Sequence, residues 1–187
     1  MNKVVPRTKI TPFYRDNLFF IEKGDNMRKF EKISFKQFKK DIIDDEILYS
    51  SYNIPRRHTK NSAGYDFEAI ETYTIKPMDI IKVPTGIKVQ MNNDEMLMIV
   101  VRSSMGFKYN LRMCNQVGII ESDYYDNESN EGHMWIALQN EGKETIVIEK
   151  GDRFAQGIFV KFLKVDNEEE IEDKRKGGLG STAKEED

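Results

Sequence analysis

The sequence predicts an all-β subunit of jelly-roll type, with a short N-terminal helical insertion and a flexible C-terminal arm. Three observations carry that expectation. First, short runs rich in branched and aromatic residues recur after residue 62: Ile87, Val89 and Met91 alternate with polar neighbours, followed by MLMIVV (96–101), MWIAL (134–138), TIVIE (145–149) and GIFVKFL (157–163). Strand-like runs at this spacing, broken by turn signals, favour an antiparallel sandwich or jelly roll over alternating strands and helices. Second, the helical period is confined to one place, where Phe35, Phe38 and Ile42 recur behind Ser34 and Gln37 at capping-box spacing; a helix over about 35–48 is expected. Third, the hydrophobic pattern stops at Val165, so a tail is expected beyond it.

The elements follow in that order. Residues 1–26, with Pro6 and Pro12 and no sustained period, read as an extension. Met27 opens a new pattern, and 27–165 form the β domain. Residues 166–187 form the arm: a charged run, DNEEEIEDKRK, followed by GGLGSTAKEED.

Composition narrows the function. The chain has 187 residues, 39% apolar and 33% charged, with a net charge of −3. One ordinary domain is affordable, and the absence of a basic excess argues against general nucleic-acid binding. Cys114 is the single cysteine, which leaves no disulfide framework and no thiolate metal cluster and points to a reducing, cytoplasmic setting. No run approaches the roughly 18 apolar residues of a membrane span, and the N-terminus does not read as a secretory signal. His58 and His133 have no third ligand at metal spacing, so a zinc site is not expected. Trp135 reads as core.

Five stretches could carry chemistry, and each has a plainer structural reading. SAGYDF (62–67) is either a turn leading into a strand or a functional aspartate. RSSMG (102–106) follows a strand directly. There Arg102, Ser103 and Ser104 form either a capped turn or a phosphate nest, since a guanidinium forks onto phosphate oxygens and freed backbone N–H groups join it. NQVGIIESDYYDNESNEGHMW (115–135) reads as a β-hairpin with an acidic tip, whose Glu121, Asp123, Asp126 and Glu128 are either a solvated turn or include a general base or metal partners. KGDRFAQG (150–157) sets a turn before Arg153 and Gln156. In the tail, Gly177, Gly178 and Gly180 permit close backbone approach, while Arg175, Lys176, Ser181 and Thr182 supply charge and hydroxyls. That pattern is either a linker or an arm that orders over a polyphosphate.

Taken in order, SAGYDF, RSSMG, NQVGIIESDYY, GDRFAQ and RKGGLGST resemble the five motifs of the trimeric dUTP diphosphatases, the dUTPases, over roughly residues 54–182. The resemblance implies a jelly-roll homotrimer with three active sites at subunit interfaces, Mg²⁺ as cofactor, and hydrolysis of dUTP to dUMP and pyrophosphate. By motif, it implies that Asp66 organises the metal from its outer shell or the catalytic water, the metal itself being held by the triphosphate and waters. It also implies that Arg102, Ser103, Ser104 and Gln156 hold phosphates, and that Asn115 and the backbone through Gly118 read the uracil edge. Tyr124 packs beneath the deoxyribose. Gly178, Leu179, Ser181 and Thr182, with either Arg175 or Lys176, close over the substrate.

Three departures from the family pattern are visible. Glu121 stands where the family usually has aspartate, and is the expected base with Asp123 in reserve. Leu179 replaces a common phenylalanine, leaving Trp135 or Tyr125 to stack on uracil. DNESNEG (126–132) lengthens the hairpin. This insertion and the N-terminal extension are the two surfaces on which a protein partner is conceivable, as in a dUTPase-like regulatory protein. The related dCTP deaminases are the rival enzymes, but their catalytic glutamate aligns with Ala137 and they lack the arm.

Overall fold

The computed structural model describes residues 28–169 and residue 177. Strand β1 (Lys29–Lys32) leads into helices α1 (Phe35–Asp41) and α2 (Glu46–Ser51). Strands β2 (Tyr65–Glu68), β3 (Tyr73–Ile75), β4 (Ile80–Pro84), β5 (Ile87–Gln90) and β6 (Glu95–Val101) follow. A third helix, α3 (Ser103–Tyr109), precedes β7 (Leu111–Met113) and β8 (Gly118–Glu121), then a 3-10 turn (Ser122–Tyr124). The chain continues through β9 (Trp135–Asn140), β10 (Ile146–Ile148) and β11 (Arg153–Lys161). All pairings among these strands are antiparallel, in the orders β2-β11-β6-β8, β4-β9-β7, β1-β5 and β10-β3. This is the expected all-β, jelly-roll-like architecture with few helices.

The predicted strand runs owe their place to alternation. Along β6, Glu95, Leu97 and Ile99 are buried while Met96, Met98 and Val100 lie on the other, half-exposed face. Leu97, Ile99, Phe67, Phe154, Ile136 and Leu138 meet in the core. Burying a side chain of this size is worth about 1.5–3 kcal/mol.

Four expectations are corrected. The single helix over about 35–48 is two, because the chain leaves helical geometry at Ile42 (φ −124°, ψ −79°) and the Asp45 carboxylate accepts from the Leu48 N–H at 2.9 Å, restarting a helix. The capping box is half made: the Gln37 N–H donates to Ser34 Oγ, but the Gln37 amide turns to Asp41. The stretch 115–135 is not a hairpin among the described strands, for β8 pairs with β6 while β9 pairs with β4 and β7. Trp135 is not core: at the start of β9 it is 37% exposed, tilted against His133.

The two helices seat themselves through aromatic contacts. Phe38 stacks on Tyr52 with ring centroids 5.6 Å apart and meets Tyr49 edge-on at 5.3 Å. Tyr52 donates its hydroxyl to the Gly86 carbonyl at 2.9 Å. Gly86, with φ +67°, has no alternative, since a Cβ there would stand 2.8 Å from the tyrosine ring.

Candidate active site

Asp66, on β2, is the node of one half of the site. Its side chain is 11% exposed and faces three cationic or titratable groups: Arg102 Nε lies 3.2 Å from Oδ1, while Arg153 Nη1 and His58 Nε2 lie 3.3 and 3.7 Å from Oδ2. Its own N–H donates to the Arg56 carbonyl at 3.0 Å. Arg102 is fixed in turn, donating its backbone N–H to the Phe154 carbonyl at 3.0 Å and its guanidinium to the Arg153 carbonyl at 3.4 Å. A nearly buried carboxylate is tolerated only with such partners.

The local sequence explains how the chain reaches this arrangement. Strand β6 ends at Val101, Arg102 takes extended geometry, and Ser103 and Ser104 open α3, so the expected strand-end position of RSSMG is observed. Gln156 on β11 lies directly opposite Asp66 on β2 and Val100 on β6. Gly64 makes room for it, because a Cβ at 64 would collide with the Gln156 carboxamide. A cleft of about 270 Å³ opens beside this group, lined by Arg102, Ser104, Lys108, Asp152 and Arg153 among others.

In the sequence Arg153 stands just behind a Gly-Asp turn, with no local sign of a role. Alternation alone puts residues three apart on opposite faces, but the register shifts between Arg153 and Ala155. The irregularity lets Arg153 and Gln156 oppose Glu68 and Asp66, two residues apart on one face. His58 and Lys108 were missed as well. Nothing local in RRHTK or GFKYN marks them; only tertiary packing brings them to Asp66 and to the cleft.

The other half of the site is continuous in sequence. Asn115 lies exposed in a turn between Met113 and Gly118, where the Gln116 N–H donates to the Met113 carbonyl at 3.0 Å. Gly118 is buried, with Met113 Cε and Ile99 Cβ 3.1 and 3.3 Å from where its Cβ would be. Glu121 ends β8 opposite Met96, half-buried, and Asp123 is exposed in the 3-10 turn. Tyr124 packs partly against the core and donates its hydroxyl to the His133 carbonyl at 3.0 Å. Tyr125 is spent on the fold: its hydroxyl bonds Glu31 and its ring lies 5.1 Å from Lys88 Nζ.

The two halves share the β2-β11-β6-β8 sheet but not one end of it. Asp66 lies in the Val100 row and Glu121 in the Met96 row, four residues along β6 and three strands across. Those steps separate their backbones by roughly 20 Å. Arg175, Lys176, Gly178, Leu179, Ser181 and Thr182 lie outside the described residues.

A family model described as dUTPase matches residues 50–183. The deoxyuridine 5'-triphosphate nucleotidohydrolase of Lactococcus lactis is 48% identical over 131 residues, spanning 70% of this chain and 87% of the relative. That of Shewanella piezotolerans is 33% identical over 143 residues, spanning 73% and 90%. Among solved structures, the dUTPase of Streptococcus mutans is 38% identical and superposes with a TM-score of 0.60 over 74% of this chain and 98% of its own. Motifs in the same order, a model spanning most of the chain and relatives matched along nearly their full length leave one conclusion: the chain belongs to the dUTPase family.

Proposed function

We propose that this protein hydrolyses dUTP to dUMP and pyrophosphate, keeping uracil out of DNA and supplying dUMP for thymidylate synthesis in the cytoplasm. The observation that carries the reading is the Asp66–Arg102–Arg153 cluster beside Ser103, Ser104 and Gln156, a fixed group of donors suited to a polyphosphate. The chain completes its site as a homotrimer. The separation of Asp66 from Glu121 supports this: with backbones roughly 20 Å apart, the two side chains do not converge on one α-phosphate within a chain, whereas facing copies bring such halves together.

The metal fits as a passenger of the substrate. Both Asp66 oxygens are engaged by guanidinium groups, so this carboxylate positions arginines and stands outside a metal's inner shell, while the triphosphate and waters hold Mg²⁺. Bound there, Mg²⁺ supplies charge neutralisation for the departing pyrophosphate.

In the proposed reaction Glu121 takes a proton from water as the water oxygen bonds the α-phosphorus. The bond from that phosphorus to the bridging oxygen breaks, and pyrophosphate leaves with its electron pair. Asp123 is the reserve carboxylate. Arg102, Ser103, Ser104 and Gln156 hold the phosphates. Asn115 and the backbone to Gly118 read the uracil edge, leaving a cytosine amino group unpaired, and Tyr124 lies beneath the deoxyribose. Ser181, Thr182 and Arg175 or Lys176 close on the γ-phosphate, with Gly178 and Leu179 in the arm.

The test is pyrophosphate release from dUTP, dCTP, dTTP and UTP with Mg²⁺, for the wild type beside Glu121→Gln. Turnover of dUTP alone, lost in the variant with dUTP binding kept, supports the reading. Binding without hydrolysis in the wild type refutes it.

A further inference from the structure

The N-terminal helix and the 126–132 insertion, which the reaction leaves without a role, are built onto each other. Glu131 caps α1 by accepting from the Ser34 N–H at 2.8 Å and from Ser34 Oγ at 2.6 Å. Lys40 donates to the Ser129 carbonyl at 3.2 Å. Deeper, Asp41 Oδ2 accepts from the Gln37 amide at 2.8 Å and lies 2.6 Å from Nδ1 of His133, which is fully buried. The Gly86 N–H donates to His133 Nε2 at 2.9 Å, which fixes the proton on Nδ1 and the ring as a neutral donor to Asp41.

The insertion leads in turn to Tyr124. Asn130 donates to the tyrosine oxygen at 2.9 Å, the tyrosine donates to the His133 carbonyl at 3.0 Å, and Asn127 donates to the Tyr124 carbonyl at 2.8 Å. Gly132, at φ +80°, lets the returning chain pass close, for a Cβ there would stand 2.6 Å from the Tyr124 carbonyl oxygen. An unbroken series of hydrogen bonds thus runs from α1 to the hydroxyl and backbone of this tyrosine.

We infer that Ser34 and Asp41 of α1, through Glu131 and His133, are positioning residues for Tyr124, so that the N-terminal helix sets discrimination against the ribose 2'-hydroxyl. This rests on the proposed place of Tyr124 beneath the deoxyribose. A ring held at both its hydroxyl and its backbone cannot yield to an added oxygen. Released from the clamp, it can.

The experiment compares kcat/KM for dUTP and UTP in the wild type, Asp41→Ala, Asp41→Asn and the surface double variant Ser34→Ala/Glu131→Ala. The ratio of dUTP to UTP is expected to fall by about fivefold or more in Asp41→Ala and in the double variant, the scale of coupling through packed networks. Asp41→Asn, which keeps an acceptor for His133 Nδ1–H, is expected to stay within about twofold of the wild type. A lowered Tm with an unchanged ratio overturns the inference, leaving the clamp a fold element only. If Asp41→Ala does not fold, the double variant, whose pair is on the surface, decides alone. If the wild type hydrolyses no dUTP, the function proposed above fails by itself. Amide exchange across residues 124–133 then decides the clamp: faster exchange in the double variant supports it, and unchanged exchange overturns it.

Discussion

The two halves of the site are made rigid by opposite means. The Asp66 half gathers residues from β2, the β6–α3 junction and β11, and locks them with charge: one carboxylate against two guanidinium groups and an imidazole. The Asn115–Tyr124 half is one uninterrupted stretch, and hydrogen bonds with Asn127, Asn130 and the His133 carbonyl hold its tyrosine through the adjoining loop. In the proposed reaction charge suits the end that meets phosphates, because arginines able to bind anions are kept in place by a resident one. Neutral hydrogen bonds suit the end that, in the proposed reaction, tells one sugar from another, where position matters more than charge.

The comparison can be broken at several points. Ending the chain after Glu172 removes Arg175 through Thr182 and leaves every residue of both halves in the sequence. Turnover of dUTP is expected to fall by on the order of a hundredfold or more with Tm unchanged, measured by pyrophosphate release and thermal melting. Unchanged turnover would remove the arm from the mechanism.

Asp66→Asn attacks the charged half by leaving Arg102, Arg153 and His58 without their anion. A loss of about a hundredfold in kcat/KM is expected, the scale of misplacing a catalytic group by ~1 Å. A loss below about threefold would show that the arginines are held by the backbone carbonyls alone.

Gly64→Ala tests the same half more gently. The new methyl displaces the Gln156 carboxamide, and kcat/KM is expected to drop by roughly tenfold, with the melting temperature shifted by no more than a few degrees.

The smallest effect lies at the clamp and is read in stability against pH. Burial lowers the pKa of His133 below its ordinary value of 6.5, and Asp41 only partly offsets this. The folded state therefore prefers the neutral ring. The stability that follows is complete above pH 6.5 and is lost as pH falls toward the folded-state value, at about 1.4 kcal/mol for each unit of lowering. Burial acts against Glu131, but the bonds from Ser34 hold its carboxyl below the ordinary 4.5, so its contribution persists to lower pH before it is lost. Melting curves between pH 7.5 and 5 should show a decline in the wild type that is absent in His133→Gln; parallel curves would place the pH sensitivity elsewhere.

Much of the fold was legible in the sequence because strand alternation is a local property. Ile87, Val89 and Met91 are buried, while Lys88 and Gln90 between them are half-exposed, as their alternation predicts. The helix break at Ile42 was less legible, since Asp45 reads as an ordinary polar residue until its side chain is seen capping Leu48. The pairing of the 115–135 limbs was misread for a related reason. Adjacency in sequence suggests a hairpin, but β8 gains its partner from β6, and that choice is settled by packing between sheets.

By itself, the sequence determined the strand content and the order of the five motifs, and with that order the family. These depend on local pattern and residue chemistry. Tertiary structure alone decided that Arg153 joins Gln156 on one face, that His58 approaches Asp66, that Asp66 and Glu121 stand at different ends of one sheet, and that the N-terminal helix grips the loop behind Tyr124. Each of these is a contact between residues far apart along the chain or a shift of register. No local period encodes such contacts, and only the closing of the whole core brings them about.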